Sequence, residues 1–78
     1  MGVRYLALER SVTRAYGVAS AVSMATGRNT WVDRVTTKPA EDGSVRWWVT
    51  VSVNIKGVDT VVWQDRGRSK PTADRKAA

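Results

Sequence analysis

The chain contains no cysteine and no histidine. The lack of cysteine excludes disulfide bonds and thiolate metal sites. The lack of histidine removes the commonest general base and the commonest transition-metal ligand. The seven carboxylates are scattered over the predicted helix, strands, turn and tail, and no glycine-rich phosphate loop is present. We therefore expect a protein that is not an enzyme and that binds no cofactor or metal.

Long hydrophobic runs are also missing. No segment approaches the roughly 20 apolar residues that a membrane-spanning helix needs. The first residues lack the basic segment followed by an apolar segment that marks a secretory signal. We therefore expect a cytoplasmic protein with no membrane partner. Small, basic, cysteine-free chains are common among the accessory proteins of bacteriophages and mobile elements, so we expect such an origin, in a bacterial or host cytoplasm.

The chain is short and basic. Its 78 residues allow one domain, and a domain of this size buries only roughly 60–65% of its unfolded surface. Oligomerisation often compensates for so thin a core, and a homodimer is expected on that ground. Thirteen Lys and Arg against seven Asp and Glu give a net charge of +6. Such a charge attracts polyanions, namely nucleic acid, anionic lipid or an acidic protein surface.

The first third of the chain predicts one amphipathic helix over residues 4–26. Apolar and small residues recur there at spacings of three and four. The stripe consists of Tyr5, Leu8, Val12, Ala15, Ala19, Val22 and Thr26. Ser11 and the arginines lie off this stripe. Gly27 is expected to end the helix in the left-handed conformation, while Gly17 makes a kink possible.

The middle of the chain predicts three strands. Residues 45–54 alternate between apolar and polar side chains, which is typical of a half-buried strand. Residues 30–37 and 58–64 are rich in β-branched residues, and turn signals lie between the strands, at 42–43 and 54–57. We expect an α+β fold in which one N-terminal helix packs on a three-stranded antiparallel meander, in the order α-β-β-β. The domain would span residues 1–65, and residues 66–78 would form a disordered basic tail.

The turns also predict a register. If Ala40 opposes Ser44, and Asn54 opposes Val58, one sheet face becomes apolar. That inner face would consist of Trp31, Val35, Trp47, Val49, Val51, Val53, Val61 and Trp63. The pairing has one cost, because Asp33 would lie on the inner face opposite Val51 and would need an arginine such as Arg10 or Arg14.

The same register predicts a basic outer face. Lys38, Arg46 and Arg66 would form one row across the sheet, beside Arg34 and Trp48. Like charges opposite one another are destabilising in a sheet, and a bound anion would relieve them. Arg68 and Lys70 would add further contacts from the tail. The candidate nucleic-acid-binding residues are therefore Arg34, Lys38, Arg46, Trp48, Arg66, Arg68 and Lys70.

Two functions are compatible with this pattern. The first is a small basic nucleic-acid-binding protein, in which cations neutralise phosphates and Trp48 stacks on a base. The second is a protein-interaction or assembly module, as a homodimer or a regulator bound to a host protein, with no nucleic-acid role. Trp48 and Val62 would form its exposed patch, because aromatic residues and arginine are enriched at interaction hot spots.

Overall fold

The computed structural model describes residues 3–73. The elements, in chain order, are β1 (Val3–Arg4), α1 (Leu6–Thr26), β2 (Thr30–Thr36), β3 (Val45–Ile55), β4 (Val58–Ser69) and β5 (Thr72–Ala73). Strands β2, β3 and β4 form an antiparallel sheet in that spatial order, and α1 packs against all three. Strands β1 and β5 pair separately as a short antiparallel sheet. The predicted α+β fold, with one helix on a three-stranded meander, is confirmed.

The helix is continuous from Leu6 to Thr26, with no break at Gly17. It begins two residues later than predicted, because Tyr5 has an extended ψ of 88° and serves as the N-cap. It ends as predicted at Gly27, whose φ of 66° is left-handed and whose N–H donates to the Ser23 carbonyl. Glycine adopts that conformation at little cost, which is why the helix stops there.

The core lies between α1 and the central strand β3. Its β3 members are Val45, Trp47, Val49 and Val51, and its helical members are Leu8, Ala15 and Ala19. The two alanines leave room for the helix to approach the sheet closely, and Ala15 has no exposed surface. The alternation read from residues 45–54 is therefore confirmed, with the odd-numbered residues from Val45 to Val53 buried.

The first hairpin differs from the prediction by one residue. Ala40 does donate its N–H to the Ser44 carbonyl, as expected. Three residues earlier, however, the N–H of Thr37 donates to the carbonyl of Arg46. The β2–β3 pairs from Thr36 back to Thr30 all follow this shifted register. The slip lies at Lys38 and Pro39. Proline has no N–H to donate, so a ladder cannot run unbroken through it.

That slip reverses the faces of β2, because a shift of one residue moves every side chain to the other side. Trp31 and Val35, predicted to be inward, now pair with Ser52 and Trp48 on the face away from the helix. Asp33 lies opposite Thr50 on that face and accepts a hydrogen bond from the Trp31 indole N–H at 3.1 Å. The expected inward carboxylate opposite Val51 and its arginine partner were therefore wrong.

The second hairpin is tighter than predicted. Ile55 pairs with Val58, which leaves Lys56 and Gly57 as a two-residue turn. Both turn residues have positive φ, 51° and 84°, as a type I′ turn requires. The predicted pairing of Asn54 with Val58 was wrong.

A bulge then follows in β4. Val51 pairs with Trp63 whereas Ser52 pairs with Val61, so Val62 has no partner on β3. Trp63 therefore lies on the helix side as predicted, although opposite Val51 rather than Val49. Val61, predicted to be inward, lies on the outer side of the sheet and is 56% exposed.

Strand β4 runs to Ser69, so the predicted tail boundary at residue 66 is too early. The inward positions of this extension are Asp65, Gly67 and Ser69, which carry no apolar side chain. Their polar groups are satisfied by α1 and β3, since Ser11 donates to Asp65 at 2.8 Å and the Trp47 indole donates to Ser69 at 2.9 Å. Residues 72–73 are also paired. The rest of the predicted tail, 74–78, lies outside the described residues.

Candidate nucleic-acid interface

The sheet face away from α1, called the outer face below, is formed by side chains whose strand positions alternate with the core. Cross-strand partners point to the same side, which fixes its membership. Its members are Trp31, Asp33 and Val35 on β2, Arg46, Trp48, Thr50, Ser52 and Asn54 on β3, and Asp59, Val61, Gln64, Arg66 and Arg68 on β4.

Three arginines gather at one end of the outer face. Arg46 and Arg68 are direct cross-strand partners, and Arg66 lies opposite Trp48, diagonal to Arg46. We call Arg46, Arg66 and Arg68 the arginine cluster. Together with Trp48 they line a surface depression of about 500 Å³. Like charges in directly opposed positions repel, and an anion between them would relieve this repulsion.

Trp48 is positioned by the central strand. It is flanked by Val35 on β2 and by Arg66 on β4, and 37% of its surface is exposed. The neighbouring residue, Trp47, points the other way and is 5% exposed. The prediction that Trp48 faces outward and Trp47 inward is confirmed, so Trp48 is the tryptophan that borders the arginine cluster from the outer face.

One member of the arginine cluster is fixed by a hydrogen bond. The Arg68 guanidinium donates to Oγ of Ser44, at 3.1 Å from its terminal nitrogen. Asp42 lies near Arg68, and its pKa is held below the ordinary value of 3.8. Hydrogen bonds from Ser44 are the main cause, and the positive charges of Arg68 and Lys70 contribute less. Asp42 is thus ionised and offsets part of the local charge.

The other two members keep their charge available. Across residues 3–73, the side chains of Arg46 and Arg66 form no hydrogen bond or ion pair. Their guanidinium groups are planar donors that match phosphate geometry well. This end of the sheet therefore has unsatisfied capacity for an anionic ligand.

The structure brings most of the predicted site residues to one end of the sheet. Arg46, Trp48, Arg66 and Arg68 lie together, and Lys38 shares a shallow groove with Arg46 and Arg68. The predicted row of Lys38, Arg46 and Arg66 was wrong, because the cross-strand partner of Arg46 is Arg68. Lys70 follows the end of β4 and lies near Asp42.

Arg34 is the predicted site residue that the structure separates from the others. Because the register of β2 slips, Arg34 pairs with Val49 and lies on the helix side of the sheet. There it borders a groove with Arg4 and Glu9. The hydrogen bond from Arg4 and, more weakly, the charge of Arg34 hold the pKa of Glu9 below its ordinary value. Arg34 is therefore not part of the outer face.

The opposite end of the outer face has a different character. Trp31 and Val61 flank Ser52 there, and Asp59 supplies negative charge, to which Asp33 adds from the middle of the face opposite Thr50. Sequence reasoning placed Trp31 inside the core, and Pro39 is the signal that could have shown the reversal. The outer face is thus basic at one end, and acidic and apolar at the other, over roughly 27 Å of β3.

The site has neither a metal cluster nor a membrane-spanning element. Within residues 3–73, no group of three or more acidic side chains converges to hold a metal ion. In that same range no helix has the length and apolarity to cross a membrane.

The chain is a small α+β protein with an arginine cluster on its open sheet face. Comparisons with protein-family models, curated proteins and solved structures gave no match.

Proposed function

We propose that the protein binds nucleic acid through the basic end of its outer face. The observation that supports this most is the arginine cluster itself, in which two directly opposed arginines and a third surround a partly exposed tryptophan without a carboxylate partner for Arg46 or Arg66. If these arginines had only a structural role, they would be paired with carboxylates or placed apart from one another. A phosphate backbone, in contrast, neutralises all of them together. The scattered carboxylates favour binding over catalysis.

The charge of the whole chain supports the same proposal. A net charge of +6 steers a polyanion toward the protein, and the local cluster then holds it. Three phosphate contacts would give a slope of roughly −2 to −3 for the logarithm of affinity against that of salt concentration. Lys38 and Lys70, next to the cluster, would steepen this slope. Thr50 is an additional hydroxyl donor on the same strand, whereas Ser52 is buried.

The experiment is a salt titration with labelled single- and double-stranded DNA and RNA, followed by fluorescence anisotropy. Arg46→Glu should weaken binding at least tenfold at low salt and flatten the salt slope. The matched control is Lys56→Glu, which makes the same charge change in the turn at the other end of the sheet. Absence of binding to every nucleic acid at low salt would refute the proposal. Equal losses in both variants would refute the site while leaving general charge attraction.

A second candidate function is self-association, and the free edge of β4 favours it. Val58, Val61 and Val62 are 63%, 56% and 45% exposed, on a strand whose other edge has no partner within residues 3–73. Exposed apolar edge strands are templates for pairing. A two-fold antiparallel pairing that sets Asp59 against Arg66 of a second copy would add two opposite-charge pairs.

Solution mass tests self-association through β4. If β4 pairs with a second copy, wild-type protein is a dimer at micromolar concentration, and Val61→Lys makes it a monomer. Thr50→Lys, on the central strand of the same face, is the control and should remain dimeric. A wild-type monomer at all accessible concentrations would exclude the edge-paired dimer.

A further inference from the structure

Given the nucleic-acid binding proposed above, we infer that the ligand is a single strand, one of whose unpaired bases stacks on Trp48. Trp48 is 37% exposed and lies directly across from Arg66, with Arg46 two residues away on the same strand and face. Phosphates on the arginine cluster would place the attached base over this ring. Aromatic and basic residues together are the usual components of single-strand sites.

Stacking needs a base with a free face. In a duplex, each base is covered above and below by its neighbours, so a ring on a protein surface reaches a base face only where the base is unpaired or extruded. Trp48 is held on the central strand between Val35 and Arg66, with both neighbours in ordered strands. Its ring is therefore already oriented, and stacking orders few additional groups.

The distribution of charge also disfavours a duplex. A duplex groove is bordered by phosphates on both sides, so a sheet face that enters it needs cations at both ends. Here the outer face carries Asp33 at its middle, opposite Thr50, and Asp59 at its far end. A single strand, in contrast, can cross the sheet at its basic end and avoid those carboxylates.

Trp31 does not provide a second stacking site of the same kind. Its indole N–H donates to the Asp33 carboxylate at 3.1 Å, so a negative charge lies against the ring. A phosphate attached to a base on Trp31 would be repelled by this carboxylate. This difference makes Trp31 the natural control for Trp48, since both are partly exposed tryptophans on one face.

The test compares the affinities of an oligothymidine and of a hairpin duplex of equal charge for wild type, Trp48→Ala, Trp48→Phe and Trp31→Ala. Loss of one stacked base should reduce single-strand affinity by about 5- to 150-fold in Trp48→Ala. Trp48→Phe should recover most of it, and Trp31→Ala should bind like wild type. Duplex affinity should be weaker throughout and insensitive to Trp48. Urea unfolding establishes that each variant is folded.

An abasic oligonucleotide separates stacking from charge. It should bind wild type about as weakly as the normal strand binds Trp48→Ala, and Trp48→Ala should lose nothing further on it. Wild type that binds duplex as tightly as single strand, with no effect of Trp48→Ala on either, would overturn this inference and leave nucleic-acid binding intact. Absence of binding to both ligands would instead refute the proposed function itself.

Discussion

The indole ring of Trp47 lies directly over Gly67, its cross-strand partner. A Cβ atom on residue 67 would come within 2.5 Å of Cζ2 of that ring. The ring is fixed at its other side by the hydrogen bond from its N–H to Ser69. Trp47 and Gly67 also line the depression of the arginine cluster. The core and the candidate interface therefore share one structural element, and Gly67 belongs to both.

We expect Gly67→Ala to lower the free energy of unfolding by about 1–3 kcal/mol, because the added methyl group overpacks a core that cannot give way. Gly17→Ala is the matched control. It lies within α1 with no atom near its added Cβ, so it should instead stabilise by about 0.5–1 kcal/mol. Urea denaturation monitored by circular dichroism measures both. Equal effects from the two substitutions would contradict the close contact at Trp47.

Ser11→Ala should destabilise the protein by about 1–3 kcal/mol. Ser11 is fully buried and donates a hydrogen bond at 2.8 Å to the part-buried carboxylate of Asp65. The ion-pair partner of Asp65, Arg14, is 3.9 Å from that carboxylate. The control is Thr13→Ala on the exposed side of the same helix, where the hydroxyl bonds only to the Glu9 carbonyl. Thermal unfolding should show a clear decrease for Ser11→Ala and almost none for Thr13→Ala. Similar midpoints would show that the Ser11 contact contributes nothing.

The sequence was sufficient to predict the helix and the central strand, because their patterns depend on local periodicity. The predicted stripe contains Leu8, Ala15 and Ala19, which are buried in α1, and the alternation through residues 45–54 corresponds to the buried face of β3. Ser11 was misplaced because a serine reads as polar from sequence. It is buried only because Asp65, 54 residues away, accepts its hydrogen bond.

The errors in the candidate site come from register, which depends on irregular residues at a few positions. A slip at Pro39 moved Arg34 to the helix side and Trp31 to the outer face. The tighter turn at Lys56 and Gly57 shifts β4 by one residue and the bulge at Val62 by one more, so that Arg68 rather than Arg66 lies opposite Arg46. Each irregularity shifts the ladder by one residue, and periodicity carries no record of such a shift. The arginine cluster was therefore predicted in kind but not in its pairing.

The extension of β4 was missed for a related reason. Its inward positions hold a glycine and two polar residues, a pattern that resembles a tail. They face inward because Trp47 fills the space over Gly67 and donates to Ser69. The burial of these residues depends on the size of one side chain on the neighbouring strand, which no pattern within residues 66–69 encodes.

The ion pair between Arg4 and Glu9 should make stability depend on pH. The Arg4 guanidinium, 2.6 Å from a Glu9 oxygen, lowers the pKa of this carboxyl below its ordinary value of 4.5. A group with a depressed folded pKa stabilises fully above its unfolded value, and this contribution is lost as the pH falls through the folded pKa. Wild type should thus be more stable than Glu9→Gln at pH 7, with the difference shrinking as the pH falls below 4.5 and vanishing below the folded pKa. A difference that does not shrink as the pH falls below 4.5 would contradict this linkage.

The hairpin turn offers a stabilising change at a distance from the arginine cluster. Lys56 has a φ of 51°, a conformation that lysine adopts at a cost, whereas Asn-Gly is the preferred pair for a type I′ turn. Lys56→Asn should therefore stabilise the protein by up to about 1 kcal/mol in urea denaturation. Lys56→Gln removes the same charge without relieving the backbone, so it should give no gain. Because Lys56 lies at the opposite end of the sheet from Arg46, nucleic-acid affinity should be the same in both variants. An equal gain in stability in the two variants would mean that charge, not backbone conformation, determines the effect.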